Sequence, residues 1–319
     1  MQLSILDQSP VVSGLGARRA IEETLGLARR ADELGYHRYW LAEHHAIAAL
    51  ADPCPEILLA RMGAETKRMR IGTGGVLLPY YSAFRTAESF RMLEALYPGR
   101  IHLGIGRAPG GDARTAQAVA GGGFPDASRF PEQVLELKSL LEGSHRPVRL
   151  QPEVDTVPQI WLLGSSDYSG ALAAELGLSF AFAHFINPHG GDAVTRAYKE
   201  NFKGDRPCAI VCTFAIVADT DEEAERLAAP IDLRRLHMAL NIDSPVPTYD
   251  EAVRHRYSED ERRYVLSQRA RAVIGGAAKA AKELKALVER YAADELMVLT
   301  ITGDYESRRR SYELLIEAF

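Results

Sequence analysis

The sequence predicts a (β/α)8, or TIM, barrel with long insertions at its C-terminal mouth, and three observations carry that expectation. Eight short β-rich runs recur along the 319 residues, and most are nearly continuous apolar stretches, as in parallel strands covered on both faces. Helical or helix-sized sequence follows each run. The length also fits. Two irregular stretches, 107–130 and 242–270, hold 24 and 29 residues, and without them 266 remain, close to the ~250 of a plain barrel. The excess then reads as two loops on one domain spanning 1–319.

In order, the first run (3–6) precedes a helix in which Ala20, Thr24, Leu27, Ala31 and Leu34 step by fours and threes, with Gly35 at the C-cap position. The second run (39–41) ends in Ala42-Glu43-His44-His45, and the third (71–78) is broken by glycines before the helical stretch Ala83–Leu96. The fourth run (101–105) leads through Gly106 and Arg107 into the first irregular stretch. The fifth (160–163) turns through Gly164 and a serine cluster into a helix. Runs six (180–183) and seven (210–217) precede the second irregular stretch, whose length and polarity suit a lid. Ala277–Tyr291 then puts Ala277, Ala281, Leu284, Val288 and Tyr291 on one helix face. The eighth run (296–301) and a last helix (305–319) complete the repeat. A doubly wound dinucleotide fold is the competitor, but Gly14 and Gly16 lack the third glycine of its fingerprint.

A net charge of −5 argues against a dedicated nucleic-acid binder. Arginines outnumber lysines 31 to 7, which leaves room for local anion sites built from guanidinium forks. No apolar stretch is long enough for a membrane span, and the N-terminus has no signal-peptide pattern. Cys54, Cys208 and Cys212 form neither an even set nor a CxxC motif, so a reducing cytoplasm is expected. Cys208 and Cys212 share one strand face and read as core, as do Trp40 and Trp161. Arg308, Arg309 and Arg310 read as a solvated helix face.

Four strand ends carry residue types suited to chemistry. His44 and His45 follow the second run, at the face where barrel enzymes place catalytic groups; they act on a proton, or cap and pack. Two adjacent histidines on an extended chain point apart, which weakens a shared-metal reading. Gly74 and Gly75 mark either a bulge or a bed for a planar ligand. Gly106 leaves space, and Arg107 offers a fork to an anion or carbonyl. Gly164, Ser165, Ser166 and Ser169 form either an ordinary helix cap or an anion site at a helix N-terminus. Arg129 is either a surface arginine or a counter-charge for that anion. Gly275-Gly276 reads as a tight turn or a second anion nest.

Taken together, LSILDQSP, AEHH, IGTGGVLLP, LYPGR, LGIGRAPGGD, WLLGSSDYSGALAAELGL, AVIGG and ELMVLT resemble, in order and spacing, the luciferase-like flavin-dependent monooxygenases, in the single-subunit branch with the GRAPG signature. The resemblance covers essentially the whole chain. It implies FMN at the barrel mouth, used in reduced form from a separate flavin reductase, with O2 and a small organic substrate. It also implies a homodimer. His44 would be the catalytic base and His45 its neighbour. Gly74-Gly75 would be a non-proline cis pair behind the flavin ring. Arg107, Arg129, Gly164, Ser165, Ser166 and Ser169 would serve the phosphate region. Gly106 stands where bacterial luciferase has a reactive cysteine, and Ser165 stands where an acidic residue is usual. Alternatives left open are a deazaflavin-dependent hydride transfer, a metal-dependent barrel hydrolase and a non-catalytic flavin-binding protein.

Overall fold

The computed structural model describes residues 1–107, 112–123, 125–144 and 148–319. In chain order its strands and helices are β1 (Gln2–Asp7), α1 (Gly16–Leu34), β2 (Arg38–Leu41), α2 (Pro55–Glu65), β3 (Arg70–Leu77), α3 (Ala83–Leu96), β4 (Ile101–Gly106), α4 (Ala113–Val119), α5 (Phe130–Leu141), β5 (Gln159–Gly164), α6 (Asp167–Leu176), β6 (Ser179–Ala183), α7 (Gly191–Glu200), β7 (Ala209–Ala218), α8 (Asp221–Ala239), α9 (Tyr249–Arg254), α10 (Glu259–Gln268), β8 (Ala272–Gly276), α11 (Ala277–Tyr291), β9 (Glu295–Leu299) and α12 (Tyr305–Glu317). Strands β1 to β7 pair in sequence order, all parallel. β7 then pairs with β9, and β9 returns to β1, which closes an eight-stranded barrel.

The eight apolar runs are the eight barrel strands. A ninth strand, β8, pairs with the upper half of β7 from Phe214↔Ala272 to Ala218↔Gly276. This corrects the reading of Gly275-Gly276 as a turn or an anion nest. Both residues lie in β8, and the Gly276 N–H donates to Asp221 Oδ1 at 2.7 Å, so a carboxylate of the protein already fills that position.

Side chains alternate across each strand. One set, including Ile5, Tyr39, Ile71, Leu103, Phe180 and Val298, faces the helices and forms the larger core. The other set fills the barrel: Leu6, Trp40, Trp161, Ala181, Ile210, Cys212 and Met297. The lower end of the interior is polar. Arg38 Nη2 donates to Glu295 Oε2 at 2.8 Å, and Arg38 Nη1 lies 2.9 Å from His102 Nδ1. The Arg38 guanidinium stacks 4.6 Å from the Trp161 ring centroid. This buried pair closes the barrel below Trp40 and Trp161, so the cavity can open only at the C-terminal mouth. Glycine is required where β3 and β4 approach, because a Cβ on Gly104 would stand 2.1 Å from the Thr73 carbonyl.

Both stretches read as irregular contain helices. α4 is capped by Asp112, whose side chain accepts from Arg114 N and Thr115 N at 2.8 and 2.9 Å. Residues 108–111 of the glycine-rich motif after Arg107, and residue 124, lie outside the described residues. In the second stretch α9 and α10 each start with a capping box, Thr248 with Glu251 and Ser258 with Glu261. Residues 241–247 form a strap. Val246 N donates to Val11 O at 2.8 Å, Ser13 N to Val246 O at 2.9 Å, and Ala48 N to Asp243 Oδ1 at 2.9 Å. The strap thereby ties the end of α8 to the loops after β1 and β2.

Two further expectations need correction. Arg308 is not solvated: it is 2% exposed, pairs with Asp7 and donates to Thr300 O at 2.9 Å. Only Arg309 and Arg310 of that triplet face solvent. Cys208 sits just before β7 and is half-buried, whereas Cys212 faces the barrel interior. Among the described residues no helix is long and apolar enough to cross a membrane.

Candidate active site

Above the Trp40–Trp161 layer the strand ends enclose a cavity of about 300 Å³. Its wall is built in sectors: Gln8 after β1, Glu43 and His44 after β2, Gly74, Gly75 and Leu77 on β3, Gly106 and Arg107 at β4, and Gly164 to Ser166 with Ser169 where β5 meets α6. Phe185 and Ile186 after β6, Cys212 on β7 and Met297 on β9 complete it. Nine residues singled out in the sequence therefore meet at one cavity. His45 and Arg129 do not form its wall: His45 sits behind Glu43, and Arg129 is exposed at the start of α5. Larger depressions lie outside the barrel, between α11 and α12 and between α2 and α3, away from the strand ends.

The glycines flatten one side of this cavity. Gly74 and Gly75 are joined by a cis peptide, and the β3–β4 register shifts there. A Cβ on Gly75 would stand 2.5 Å from Leu163 Cδ1, and one on Gly106 would meet only Leu77 at 4.0 Å. A side chain at 106 would therefore fit the fold and reduce the open space beside the wall.

His44 donates its backbone N–H to Asp52 O at 3.2 Å. Its ring Nδ1 is buried without a hydrogen-bond partner. Burial pushes the imidazole down to about 4; a hydrogen bond to the Ala42 backbone opposes the shift and His45 adds to it. The ring is thus neutral near pH 7 and able to accept a proton. A buried polar atom left unpaired on a cavity wall is an expected place for a ligand or water contact. Burial pushes the neighbouring Asp52 carboxyl up to about 7, although it accepts Cys54 N at 3.1 Å.

Glu43 organises the same corner. Its Oε1 accepts from Tyr81 OH at 2.6 Å and lies 2.6 Å from His45 Nε2, while Oε2 accepts from Leu77 N at 2.9 Å. With the carboxylate accepting, His45 carries its proton on Nε2. Tyr81 was missed in the sequence, and the signal for it is weak: a tyrosine just past a strand end. Cys212 and Met297 could have been found from alternation, since each shares a strand face with interior residues.

At the opposite corner α6 begins. Its N-cap Ser166 is extended, at φ −143° and ψ 170°, and its side chain makes no cap hydrogen bond. Asp167 Oδ1 accepts the Tyr168 N–H at 2.8 Å, and the remaining first-turn N–H groups have no backbone acceptor within the helix, so the positive helix end can take an anion through them. Gly164 lets this turn approach, because a Cβ there would lie 2.2 Å from Ser169 Oγ. The Arg107 guanidinium stacks 4.3 Å from the Tyr168 ring centroid and makes no ion pair among the described residues. Among the described residues no group of three or more His, Cys, Asp or Glu side chains is gathered as a metal site requires.

Comparison with known proteins agrees with this architecture. A family model described as luciferase-like monooxygenase matches residues 1–294. The N-acetyl-S-alkylcysteine monooxygenase of Bacillus subtilis is 33% identical, over 100% of this chain and 98% of that protein. The crystal structure of apo-MsnO8 superposes with a TM-score of 0.94 at 37% identity, covering 100% and 98% of the two chains. The oxygenating constituent of the Pseudomonas putida 3,6-diketocamphane monooxygenase, solved with FMN, superposes at 0.75 over 100% and 97%. At 19% identity that likeness concerns the fold.

Proposed function

Because the chain belongs to the luciferase-like monooxygenase family, we propose that it is the oxygenase component of a two-component flavin-dependent monooxygenase. It takes reduced FMN from a separate flavin reductase and uses O2 to oxidise a small organic substrate. The observation that carries this reading is the pairing, in one cavity, of a glycine-flattened wall with a helix end whose N-cap Ser166 side chain makes no cap hydrogen bond. A planar ring suits the wall at Gly74, Gly75 and Gly106, and a phosphate suits the turn at Ser165 and Ser166. The His44 ring and Arg107, which makes no ion pair among the described residues, add a proton acceptor and a cation to the cavity wall.

When bound, the flavin supplies the redox chemistry with O2. The protein's own residues do the rest. The α6 N–H groups, Ser166, Ser169 and Arg107 hold the phosphate through charge-assisted hydrogen bonds. Gly74 and Gly75 back the ring. The neutral His44 ring accepts a proton. Glu43 fixes His45 and the end of β3. Phe185, Ile186, Cys212 and Met297 keep the remaining wall apolar and exclude water.

The outer face of α2 and α3 exposes Ile57, Met92 and Leu96 at 70, 56 and 52%, and this apolar patch supports a homodimer. Three free cysteines agree with a cytoplasmic setting. The test is oxygen uptake with photoreduced FMN. Protein-dependent, stoichiometric oxygenation of an added organic substrate is expected. Failure to bind FMN in either redox state contradicts the proposal.

A further inference from the structure

One side chain ties the loop after β6 to the serine turn at the start of α6. That loop is pinned by its own backbone: Phe185 N donates to Cys212 O at 3.3 Å, and Ile186 N and Asn187 N donate to Ala183 O at 3.0 and 3.2 Å. Phe185 and Ile186 line the cavity, and Asn187 follows them without lining it. From there Asn187 Nδ2 donates to Ser165 O at 3.0 Å, which crosses to the turn between β5 and α6. Asn187 Oδ1 accepts from His189 N at 3.2 Å. Together the two bonds fix the amide orientation, because a flipped amide would set its NH2 against the His189 N–H and its oxygen against the Ser165 carbonyl.

Ser165 and Ser166 both line the cavity. The peptide that joins them is planar and trans, so its C=O and N–H point in opposite directions. A donor that holds the Ser165 carbonyl therefore also sets the direction of the Ser166 N–H. That N–H has no acceptor among the described residues. The Ser166 side chain makes no cap hydrogen bond either, so the hydroxyl at the N-cap does not brace the turn. A peptide plane left loose would have to be ordered by the ligand, at a cost in affinity.

We propose that Asn187 is a positioning residue for the phosphate of the flavin: by holding the Ser165 carbonyl it presents the Ser166 N–H, already oriented, to a phosphate monoester at the end of α6. This role rests on the proposed function, which places the flavin phosphate there. It makes the β6 loop part of the phosphate site, although Asn187 itself does not touch the ligand. The same loop supplies Phe185 and Ile186 to the apolar wall, so one rigid segment serves both ends of the cavity.

The test is equilibrium titration of the whole protein with FMN and with riboflavin, in wild type, Asn187→Ala and Asn187→Asp. The Asp side chain is nearly isosteric and keeps an acceptor for His189 N, but it has no N–H to give Ser165 O. Both variants should lose about fivefold in FMN affinity, since an aligned hydrogen bond to a charged group is weakened, and riboflavin affinity should stay within about twofold. At saturating FMN the phosphorus NMR signal of the bound phosphate should move in both variants, with the absorption spectrum of the bound ring unchanged. An equal loss for FMN and riboflavin overturns the proposal, because it shows a general structural role. Unchanged FMN affinity in both variants overturns it as well, and so does wild-type FMN affinity in Asn187→Asp. If Asn187→Ala does not fold, Asn187→Asp decides alone. Wild-type protein that binds neither flavin overturns the flavin reading and this role with it, and that failure is seen before any variant is compared.

Discussion

Glu43 and Leu77 join two strand ends directly: Oε2 of the buried carboxylate accepts the Leu77 backbone N–H at 2.9 Å. That bond links the histidine pair after β2 to the stretch just past Gly74-Gly75 on β3. The other oxygen serves Tyr81 and His45. One side chain thus fixes the relative position of the proton acceptor's loop and the flat wall.

Glu43→Ala leaves the Leu77 N–H and the Tyr81 hydroxyl without their acceptor. Buried groups left unpaired cost about 1–3 kcal/mol each, so a loss of roughly 3 kcal/mol is expected in urea denaturation. Glu43→Gln restores one acceptor oxygen and should recover about half. Equal stability of Glu43→Ala and wild type would remove the organising role.

His44 makes stability depend on pH. Its folded value of about 4 lies below the ordinary 6.5. The unfolded chain therefore binds more protons between those values, and stability rises with pH across that window. No penalty applies above 6.5, and it grows to its full size as pH falls through 4. The full penalty has an upper bound on the order of 3 kcal/mol. His44→Asn should flatten the stability profile between pH 4 and 6.5, although His37 and His184, also held near 4, keep part of the slope. NMR titration of the His44 ring should show it neutral down to pH 5.

Two glycines separate fold from cavity. Gly104→Ala places a Cβ against the Thr73 carbonyl and should destabilise by about 3 kcal/mol. Gly106→Leu meets only Leu77 and should leave the melting temperature within a few degrees while lowering FMN affinity at least tenfold. Unchanged FMN affinity in Gly106→Leu contradicts the placement of the flavin ring.

Arg308 and Asp7 form a buried ion pair below the mouth. Arg308→Met leaves the Asp7 carboxylate buried without its cation, and a cost of about 3–5 kcal/mol is expected, measured by chemical denaturation.

The barrel strands were legible because parallel strands buried on both faces are written as continuous apolar runs. β8 was not, since a five-residue Ala-Val-Ile-Gly-Gly segment carries the same signal as a turn. The charged stretch 242–270 hid α9 and α10, yet Thr248 with Glu251 and Ser258 with Glu261 are visible capping pairs. Arg308 could also have been read. It falls in step with Tyr305, Tyr312 and Leu315 on the buried face of α12, and three consecutive helical residues cannot all face solvent there. At the site, strand-end glycines, serines and His44 announced themselves by residue type. Cys212, Met297 and Phe185 did not, because apolar residues at a mouth look like core.

The most direct measurement is equilibrium titration of the protein with FMN and with riboflavin, alongside Arg107→Gln. FMN should bind one to one and at least tenfold tighter than riboflavin, and Arg107→Gln should erase most of that difference while riboflavin binding holds. Equal affinity for FMN and riboflavin, or no flavin binding at all, would contradict it.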